Sequence, residues 1–407
     1  MVKYSLFHDS RSYTAQIMRN EFDLVIIGGG LVGLSLARAL ARSGLRQALI
    51  EPQPPAVVPA DPSWDNRVYA LSPGSVAFLE DCGTWQRLPQ DRITRVEAMQ
   101  VHGDAGDARL QFSAYDAGLR ELAFIVEGRQ LLQALWEGLG DLADLRIHRP
   151  AGWTSLELGS EQAALRLDDG TEIAARLVIG ADGAESRVRA QAGISVRPGD
   201  YGQLGVVANF SCEKPHRGTA FQWFMRDGVL ALLPLPGDRV SMVWSIAQEQ
   251  GRRLLALPAA ELAANVDAAS HGALGALQLI TPAAGFPLKL ARVTQFTKPR
   301  VALVGDAAHI VHPLAGQGAN LGFRDARTLA DVLITRGPQR DCGDHALLRR
   351  YERARREDVL AVHLMTDGLQ KLFSNDIVLI ARARNLGLKL VNWQPLLKNF
   401  LVRQASA

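Results

Sequence analysis

The pattern of apolar and polar positions predicts two kinds of structure in this chain. In the first part, short continuous apolar runs are followed by stretches of helical periodicity, as at residues 24–27 and then 31–43. Such alternation is typical of buried parallel strands connected by helices. Between residues 201 and 290, apolar and polar positions alternate within short runs that are separated by P-G-D and R-D-G turns. This second pattern predicts an antiparallel sheet.

The predicted antiparallel sheet has one strongly apolar face. We expect its strands at residues 203–210, 220–225, 229–234, 239–245 and 283–290, with a helix around 254–266 packed on them. Side chains at alternate positions of a strand share a face, as Trp223 and Met225 do. Such a face is either protein core or the roof of a lipophilic pocket, and core is the more frequent role of any one residue. We take Trp223, Met225, Trp244 and Phe286 as candidate substrate contacts.

The first apolar run leads into a glycine loop with G-x-G-x-x-G spacing. Gly28 permits a tight turn, Gly30 lets a pyrophosphate approach the backbone, and Gly33 lets the following helix pack on the strand. That helix is predicted to stop at Gly44, and the next strand ends in Glu51, whose carboxylate can accept hydrogen bonds from a ribose. The segment predicts an adenine dinucleotide site, for which NAD and FAD both remain open.

Two later segments repeat the order of strand, glycine and aspartate. Asp182 follows a strand that ends at about Gly180, and a D-G turn of this kind has turn formation as its structural alternative. Asp306 follows the apolar run at 301–304, and a loop with Pro313 and further glycines leads to a helix near Ala319. Because a helix amino terminus favours negative charge, this loop is a second candidate for holding a polyanionic ligand.

Two arginines stand out by their positions. Arg67 precedes a helix for which Ser72 is the candidate N-cap, and it is either a phosphate contact or an exposed surface arginine. Arg129 lies near the positive amino-terminal end of an apolar-periodic helix, which is unfavourable unless an anion is nearby. Hairpins are predicted at 93–112, with the turn sequence HGDAGDA, and at 165–179.

Composition indicates a folded protein and argues against several classes. The 407 residues are 47% hydrophobic, and the net charge of +3 gives no indication of a nucleic-acid partner. The basic run at 349–358 is interleaved with acids and is typical of a solvated helix face. Three widely separated cysteines form neither a disulfide framework nor a metal-binding spacing, so we expect no metal and a reducing compartment.

The two ends of the chain carry separate expectations. Residues 1–20 lack the apolar core of a signal peptide and are predicted to be a disordered extension, with Met18 as an alternative start. The protein is therefore expected in the cytoplasm. Residues 376–402 mix apolar and basic positions, so they either contact a membrane or partner or pack on the preceding domain.

Three loops together carry a family resemblance: the G-x-G-x-x-G at Gly28, GADGAESRVR from Gly180, and LVGDAAHIVHPLAGQGANLGFRDA from Leu303. In this order they resemble the FAD-dependent aromatic hydroxylases of the para-hydroxybenzoate hydroxylase type. The motifs D-x-R-x-x-A-L-S from Asp65 and H-P-L-A-G-Q-G-x-N-x-G-x-x-D from His312 resemble the ubiquinone-biosynthesis hydroxylases, the UbiH/UbiF/VisC group. The resemblance covers residues 22–390, and the last motif is highly specific.

The resemblance implies an α/β fold with a Rossmann-like FAD-binding domain, an inserted, mainly antiparallel β-sheet substrate domain and a C-terminal helical segment. The discontinuous FAD-binding domain would comprise residues 21–92, 122–199 and 284–361. The substrate domain would comprise residues 93–121 and 200–283, and the C-terminal region residues 362–407.

The resemblance also implies roles for individual residues. Gly28, Gly30 and Gly33 would hold the FAD pyrophosphate, and Glu51 the adenosine ribose. The remaining cofactor positions would be Arg67 and Arg129 at the pyrophosphate, Asp306 at the ribityl chain, Asp182 near both FAD and the nicotinamide path, and Gly316, Gly318, Ala319 and Asn320. Pro313, Gly316, Gln317 and Gly318 would lie by the flavin ring as the catalytic loop. No side-chain base is assigned, because His309 and His312 more often have packing or capping roles.

The implied reaction is the hydroxylation of a polyprenylated phenol in ubiquinone biosynthesis. Reduced FAD and O₂ would form a flavin hydroperoxide, and NAD(P)H would be a transient donor without a domain of its own. A quinone-biosynthesis complex and a peripheral contact with the inner face of the membrane are further implied partners. Two alternatives remain: a flavin dehydrogenase or reductase acting on a prenylated lipid, and a non-catalytic FAD-fold carrier.

Overall fold

The computed structural model describes residues 21–53, 63–103, 109–311 and 316–373. Predictions for the N-terminal extension with Met18, for His312 and Pro313, and for the segment 376–402 lie outside the described residues.

The described chain alternates strands and helices in its first part and runs mainly through strands in its middle. In chain order the strands are β1 (Glu21–Ile27), β2 (Gln47–Ile50), β3 (Val68–Leu71), β4 (Thr94–Val96), β5 (Ala98–His102), β6 (Arg109–Ser113), β7 (Ala123–Glu127), β8 (Leu145–His148), β9 (Trp153–Leu158), β10 (Ala163–Leu167), β11 (Glu172–Gly180), β12 (Val196–Cys212), β13 (Thr219–Met225), β14 (Gly228–Leu235), β15 (Arg239–Ala247), β16 (Leu277–Leu279), β17 (Ala284–Val293), β18 (Thr297–Lys298), β19 (Val301–Leu303) and β20 (His309–Ile310). The α-helices are α1 (Leu31–Ala39), α2 (Pro73–Asp81), α3 (Ala114–Ala117), α4 (Gly128–Trp136), α5 (Arg187–Gln191), α6 (Gln248–Leu255), α7 (Ala259–Ala269), α8 (Gln317–Ile334) and α9 (His345–Phe373).

The first sheet has the strand order β18-β19-β11-β1-β2-β8, and its strands from β19 to β8 are parallel. Its central strands are buried because helices pack against the sheet, which explains their continuous apolar sequences. The predicted hairpin at 165–179 is the antiparallel pair β10–β11 on this sheet. Since parallel strands end at the same edge, Gly28, Glu51, Ala181 and Val304 come together at the carboxyl edge.

The second sheet has the order β20-β17-β12-β15-β14-β13-β5-β6, with β16 beside β12. Its pairs are antiparallel except for β13 with β5, so the predicted antiparallel sheet and the 93–112 hairpin are both present. The fold class is therefore confirmed. Two predicted domain bounds differ from the element bounds: β17 and β20 pair into this second sheet, and the 361/362 bound falls inside α9.

The two faces of the second sheet have different neighbours. One face carries Val206, Trp223 and Trp244 and packs under α6 and α7 through Leu254 and Leu262. We call this the helix-covered face. On the opposite face, Phe286 lies across from Gly205, where an added Cβ would meet the Phe286 ring at 2.9 Å. We call this the open face.

A small third sheet, β3-β7-β4, links the two larger ones. Sequence periodicity did not predict β3, because a four-residue strand between polar segments has no visible alternation. Val68 and Ala70 of β3 pack against Ala220 and Leu233 on the second sheet. Ser72 then caps α2 as predicted, since its side chain accepts a hydrogen bond from Ser75 N at 3.2 Å. Across the described ranges, no helix combines the length and apolar character needed to cross a bilayer.

Candidate functional site

The glycine loop between β1 and α1 forms an open anion cradle at the carboxyl edge of the first sheet. A Cβ at Gly28 would lie 2.3 Å from Ala181 O, and one at Gly33 would lie 2.1 Å from Gly28 O, so both positions require glycine. At Gly30, by contrast, an added Cβ meets no atom within 4 Å. Gly30 begins α1 without a side-chain cap. The amino-terminal N–H groups of α1 are thus available to an anion.

Glu51 is fixed beside this loop at the end of β2. Its Oε2 accepts a hydrogen bond from Gly29 N at 2.6 Å, and its Oε1 accepts one from Gln53 N at 2.8 Å. A carboxylate oxygen has two lone pairs, so acceptor capacity remains for ribose hydroxyl groups. The structure therefore places the predicted acid next to the predicted glycine cradle.

Arg67 and Arg129 are brought together by Asp65. The Asp65 carboxylate accepts hydrogen bonds from Arg67 N at 3.0 Å and Arg129 N at 2.9 Å. The Arg67 side chain is exposed and lies over the Tyr69 ring at 5.4 Å. The Arg129 guanidinium bonds to Ser63 and lies 3.7 Å from the Glu127 carboxylate, so its charge already has a partner within the protein.

Asp306 lies in the 3₁₀ turn Gly305–Ala307 that follows β19. By surface area Asp306 is exposed to solvent, although protein groups surround its carboxyl group closely enough to desolvate it. Burial raises the pKa of the Asp306 carboxyl group, although His309 and Arg67 oppose this shift. Val32 of α1 packs where a Cβ of Gly305 would lie, at 3.0 Å, so this turn adjoins the glycine cradle.

A second open helix terminus lies at the start of α8. Gly316 adopts a left-handed conformation with φ of 64° and begins α8 without a side-chain cap. Gln317 is the first helical residue, Ala319 packs on the core, and an added Cβ at Gly318 meets no atom within 4 Å. Val32 also lies 2.5 Å from the Cβ position of Gly322, so α1 and α8 are in direct contact.

Asn320 and Asp182 have side chains engaged by protein groups. Asn320 Oδ1 accepts from Ser72 N at 2.9 Å and Ser75 Oγ at 2.7 Å, while its Nδ2 donates to Ala70 O at 2.8 Å. Asp182 accepts hydrogen bonds from Ser186 Oγ at 2.5 Å and Val188 N at 3.1 Å. These are the local bonds expected of an aspartate that stabilises a turn. Both residues lie at the site and organise its backbone.

The candidate substrate residues do not lie together. Trp223 and Trp244 are buried on the helix-covered face, and Met225 packs against the same cluster. Phe286 lies on the open face and is 42% exposed. Side-chain alternation identified the shared face of the first three residues, but it could not show that α6 and α7 cover it.

His309 and Arg355 both contact the buried carboxylate of Asp325. His309 is buried, and its Nε2 lies 2.6 Å from Asp325 Oδ2. Arg355, predicted on a solvated helix face, is buried and donates to Asp325 Oδ1 at 2.7 Å, although Arg349, Arg350 and Arg353 are exposed. Asp325 is the last residue of the H-P-L-A-G-Q-G-x-N-x-G-x-x-D motif, but the motif predicts no role for it, because nothing in the local pattern distinguishes a buried carboxylate from an exposed one.

The site as a whole combines two uncapped helix amino termini, an acid beside the first and an aspartate turn between them. Among the residues that the structure describes, no atom fills the space that Cβ atoms at Gly30 and Gly318 would occupy. These features fit an extended dinucleotide whose pyrophosphate binds at the start of α1 and whose second half reaches the start of α8.

Comparisons with known proteins agree with this geometry. The sequence profile of the FAD binding domain family matches residues 21–364. A relative from Rhodospirillum rubrum, named ubiquinone hydroxylase UbiL, is 38% identical over 386 residues, which cover 94% of this chain and 89% of the relative. The 3-demethoxyubiquinol 3-hydroxylase of Escherichia coli is 35% identical over 386 residues, covering 94% of this chain and 98% of that protein.

A solved structure supports the same fold. The crystal structure of pqsL, a probable FAD-dependent monooxygenase from Pseudomonas aeruginosa, superimposes with a TM-score of 0.77. The two sequences are 24% identical, and the match covers 91% of this chain and all of that one. At this identity the likeness establishes the architecture.

Proposed function

Because the chain belongs to the FAD-binding monooxygenase family, we propose that it hydroxylates the aromatic ring of a polyprenylated phenol in ubiquinone biosynthesis. It is an FAD-dependent monooxygenase, with NAD(P)H as the donor typical of this family. The substrate proposal is supported by the two relatives named for ubiquinone compounds, each aligned over 94% of this chain. Bound FAD supplies the activation of O₂ and the transfer of one oxygen atom to the ring.

The adenosine half of FAD would be held at the first glycine loop. The N–H groups at Gly30 and the start of α1 would bind the pyrophosphate, for which the space at Gly30 is open. Glu51 would accept hydrogen bonds from the ribose. Arg67, which is exposed, would add positive charge at the pyrophosphate. Arg129, whose backbone N–H is held by the same Asp65 carboxylate, would add a second positive charge there.

The flavin half would be held by the turn after β19 and the start of α8. Asp306 would accept hydrogen bonds from the ribityl hydroxyls, and Asp182 and Asn320 would keep the neighbouring backbone in place. The N–H groups of Gln317 and Gly318 would face the ring. A helix amino terminus there would stabilise negative charge on the reduced ring by about 0.3–1 kcal/mol. Pro313, which precedes this helix, would complete the ring loop.

The open face of the second sheet would bind the substrate. Phe286 lies there beside Val207 and Val243, which are adjacent across the β12–β15 pair. These three side chains are apolar, which suits a ring with a prenyl tail better than a substrate with a carboxylate. They would orient the ring and exclude water from it. Trp223, Met225 and Trp244 would support this sheet from the helix-covered face.

Hydroxylation can be tested with purified protein under ¹⁸O₂. We expect a yellow protein in which the correct prenylated phenol accelerates NAD(P)H oxidation and gains one labelled oxygen atom. If every candidate phenol yields only hydrogen peroxide, the hydroxylase proposal fails. Turnover under strict anaerobiosis with an artificial acceptor would instead support a dehydrogenase or reductase.

A peripheral membrane or complex contact is a second part of the proposal. It rests on the mixture of apolar and basic positions at 376–402 in the sequence. Flotation with anionic liposomes, using the full chain and a chain ending at residue 373, tests it. Equal flotation of both proteins would contradict a role for this segment.

A further inference from the structure

Asp325 is a fully buried carboxylate in the middle of α8 that lies beside the proposed flavin site. It accepts three hydrogen bonds: from Gly305 N at 2.9 Å, from His309 Nε2 at 2.6 Å and from Arg355 Nε at 2.7 Å. Burial disfavours its ionised form, but His309 and Arg355 outweigh this cost and lower the pKa of the carboxyl group. Asp325 is therefore a charged acceptor in the folded protein.

The Asp325 carboxylate bonds to both ends of the turn that carries Asp306. Gly305 immediately precedes Asp306, and His309 follows the turn at the start of β20. Both bonds converge on the same oxygen, Oδ2. The His309 strand is also held from the other side, because it pairs with Arg292 of β17. The position of Asp306 thus depends directly on where Oδ2 lies.

The other oxygen of Asp325 is fixed by α9. Arg355 donates to Oδ1 and also bonds to Asp358, which accepts from Arg324 Nη1 at 2.9 Å. Arg324 Nη2 in turn lies 3.4 Å from Gln317 Oε1. The buried charge is therefore connected through paired groups to the first residue of α8.

A simple packing role explains these contacts less well. Leu321, Phe323 and Leu329 already anchor α8 in the hydrophobic core. A buried charge is costly to desolvate, and apolar side chains of similar size often stabilise a fold as well or better. What an apolar residue could not supply is an acceptor that holds Gly305 and His309 at one point.

We propose that Asp325 is a positioning residue that holds Asp306 in place for the ribityl chain of FAD, with His309 and Arg355 completing the clamp. The inference rests on the proposed assignment of Asp306 to that chain. It predicts that damage to the clamp weakens the binding of the flavin half of FAD and spares the adenosine half, which binds at the first glycine loop.

The test compares the dissociation constants of FAD and ADP for apoprotein variants. ADP occupies the adenosine end, so it reports on the fold and on the first loop. For Asp325→Asn we expect FAD to bind about tenfold more weakly, as for the loss of one charge-assisted hydrogen bond, while ADP changes by less than about twofold. His309→Asn should change the same ratio in the same direction. Asp331→Asn, an exposed carboxylate on the same helix, is the matched control and should change neither constant.

Two further variants keep the outcome unambiguous. If Asp325→Asn does not fold, the double variant Asp325→Asn/Arg355→Met removes the opposing charge as well and serves in its place.

Asp306→Ala checks the assignment on which the clamp rests. A parallel loss of FAD and ADP affinity, or an unchanged ratio in the clamp variants, overturns the clamp. An unchanged ratio in Asp306→Ala overturns the assignment and the clamp together. Neither result depends on hydroxylation, so the reaction proposal is tested separately.

Discussion

Gly30 and Gly33 belong to the same loop, but their surroundings predict that one added methyl group destabilises the fold at Gly33 and not at Gly30. A Cβ at Gly33 would lie 2.1 Å from Gly28 O, a backbone atom that cannot yield. We expect Gly33→Ala to lower the free energy of unfolding by about 1–3 kcal/mol or more, as overpacking does, and to abolish FAD binding.

Gly30→Ala is the matched comparison at the residue scale. Its φ of −79° suits alanine, and its Cβ position is free of protein atoms. We expect an unchanged melting temperature of the apoprotein but weaker FAD binding, because the methyl group enters the space proposed for the pyrophosphate. Thermal melting and FAD titration of both variants check this. Equal FAD affinity of Gly30→Ala and the unchanged protein would contradict the cradle.

The raised pKa of Asp306 predicts how FAD binding depends on pH. Burial raises this pKa above its ordinary value of 3.8. In the pH interval between 3.8 and the raised pKa, Asp306 of the free folded protein therefore keeps a proton that it loses in an unfolded chain. The group's contribution to stability is therefore present below 3.8 and is lost as pH rises through the raised value. Ribityl hydroxyls bind the ionised carboxylate, so FAD affinity should increase over the same interval, by at most about tenfold per pH unit.

Titration of FAD at several pH values measures this dependence. The Asp306→Asn variant, which cannot ionise at this position, should bind FAD with no pH dependence across that interval. If FAD affinity changes with pH by the same slope in both proteins, a group other than Asp306 controls the pH dependence of binding.

What the sequence reveals about a residue depends on how local its contacts are. Ser72 was recognisable as an N-cap because its partner, Ser75 N, is three residues away. Asp325 and Arg355 are 30 residues apart, and His309 lies on a different element from both. Only the assembled fold brings these groups together. The basic run at 349–358 is typical of a solvated helix face, and its pattern could not show that Arg355 is buried.

At the scale of elements, periodicity predicted many strands of both large sheets and the order of the loops at the carboxyl edge, but not the short strands β8, β9, β16, β18 and β20. It also identified which residues of β13 share a face, because side chains alternate along a strand. It could not show which face the helices cover, since α6 and α7 are joined to the sheet by loops whose direction has no signature in the pattern. For this reason it could not show that Trp223 and Trp244 lie on the opposite side of the sheet from Phe286.

Asn320 joins α8 to the segment formed by β3 and α2. Its side chain bonds to Ser72 N and Ser75 Oγ in buried surroundings and to Ala70 O in partly buried ones. Asn320→Ala leaves a buried donor and acceptor unpaired, so we expect the free energy of unfolding to fall by about 2–4 kcal/mol. Chemical denaturation measures the change.

The control for this element is Thr328→Val on the same helix. Its hydroxyl donates to Arg324 O within α8, so its removal should cost less than about 1 kcal/mol. Similar losses for Asn320→Ala and Thr328→Val would show that the junction between α8 and β3 contributes little.

At the scale of the whole molecule, the segment Asp65–Asn66 connects the cofactor site to the substrate sheet. The Asp65 carboxylate holds the backbones of Arg67 and Arg129, while its carbonyl accepts from Asn209 Nδ2 at 2.9 Å. Asn66 Nδ2 donates to Pro282 O at 2.6 Å, in the chain that leads into β17. Adjacent residues thus set the position of the arginines and the position of the open face.

This division of contacts predicts that the two functions can be separated by mutation. Asn66→Ala keeps the Asp65 contacts to Arg67 and Arg129, so FAD affinity should stay within about twofold of its original value. The open face would lose an anchor, and a substrate ring displaced by a fraction of an ångström reacts more slowly. We therefore expect the yield of hydroxylated product per NAD(P)H consumed to fall by about tenfold, with hydrogen peroxide as the remaining product.

Parallel measurement of NAD(P)H consumption, peroxide and product tests this separation. Asn265→Ala is the control, because the Asn265 amide donates to Glu261 O within its own helix and the residue is exposed. Its product yield should match that of the unchanged protein. If Asn66→Ala loses FAD and product yield together, the segment acts as one structural unit. If it loses neither, the orientation of the substrate sheet is fixed by other contacts, such as the Asp65 O–Asn209 Nδ2 bond or the packing of Ala220 and Leu233 on β3.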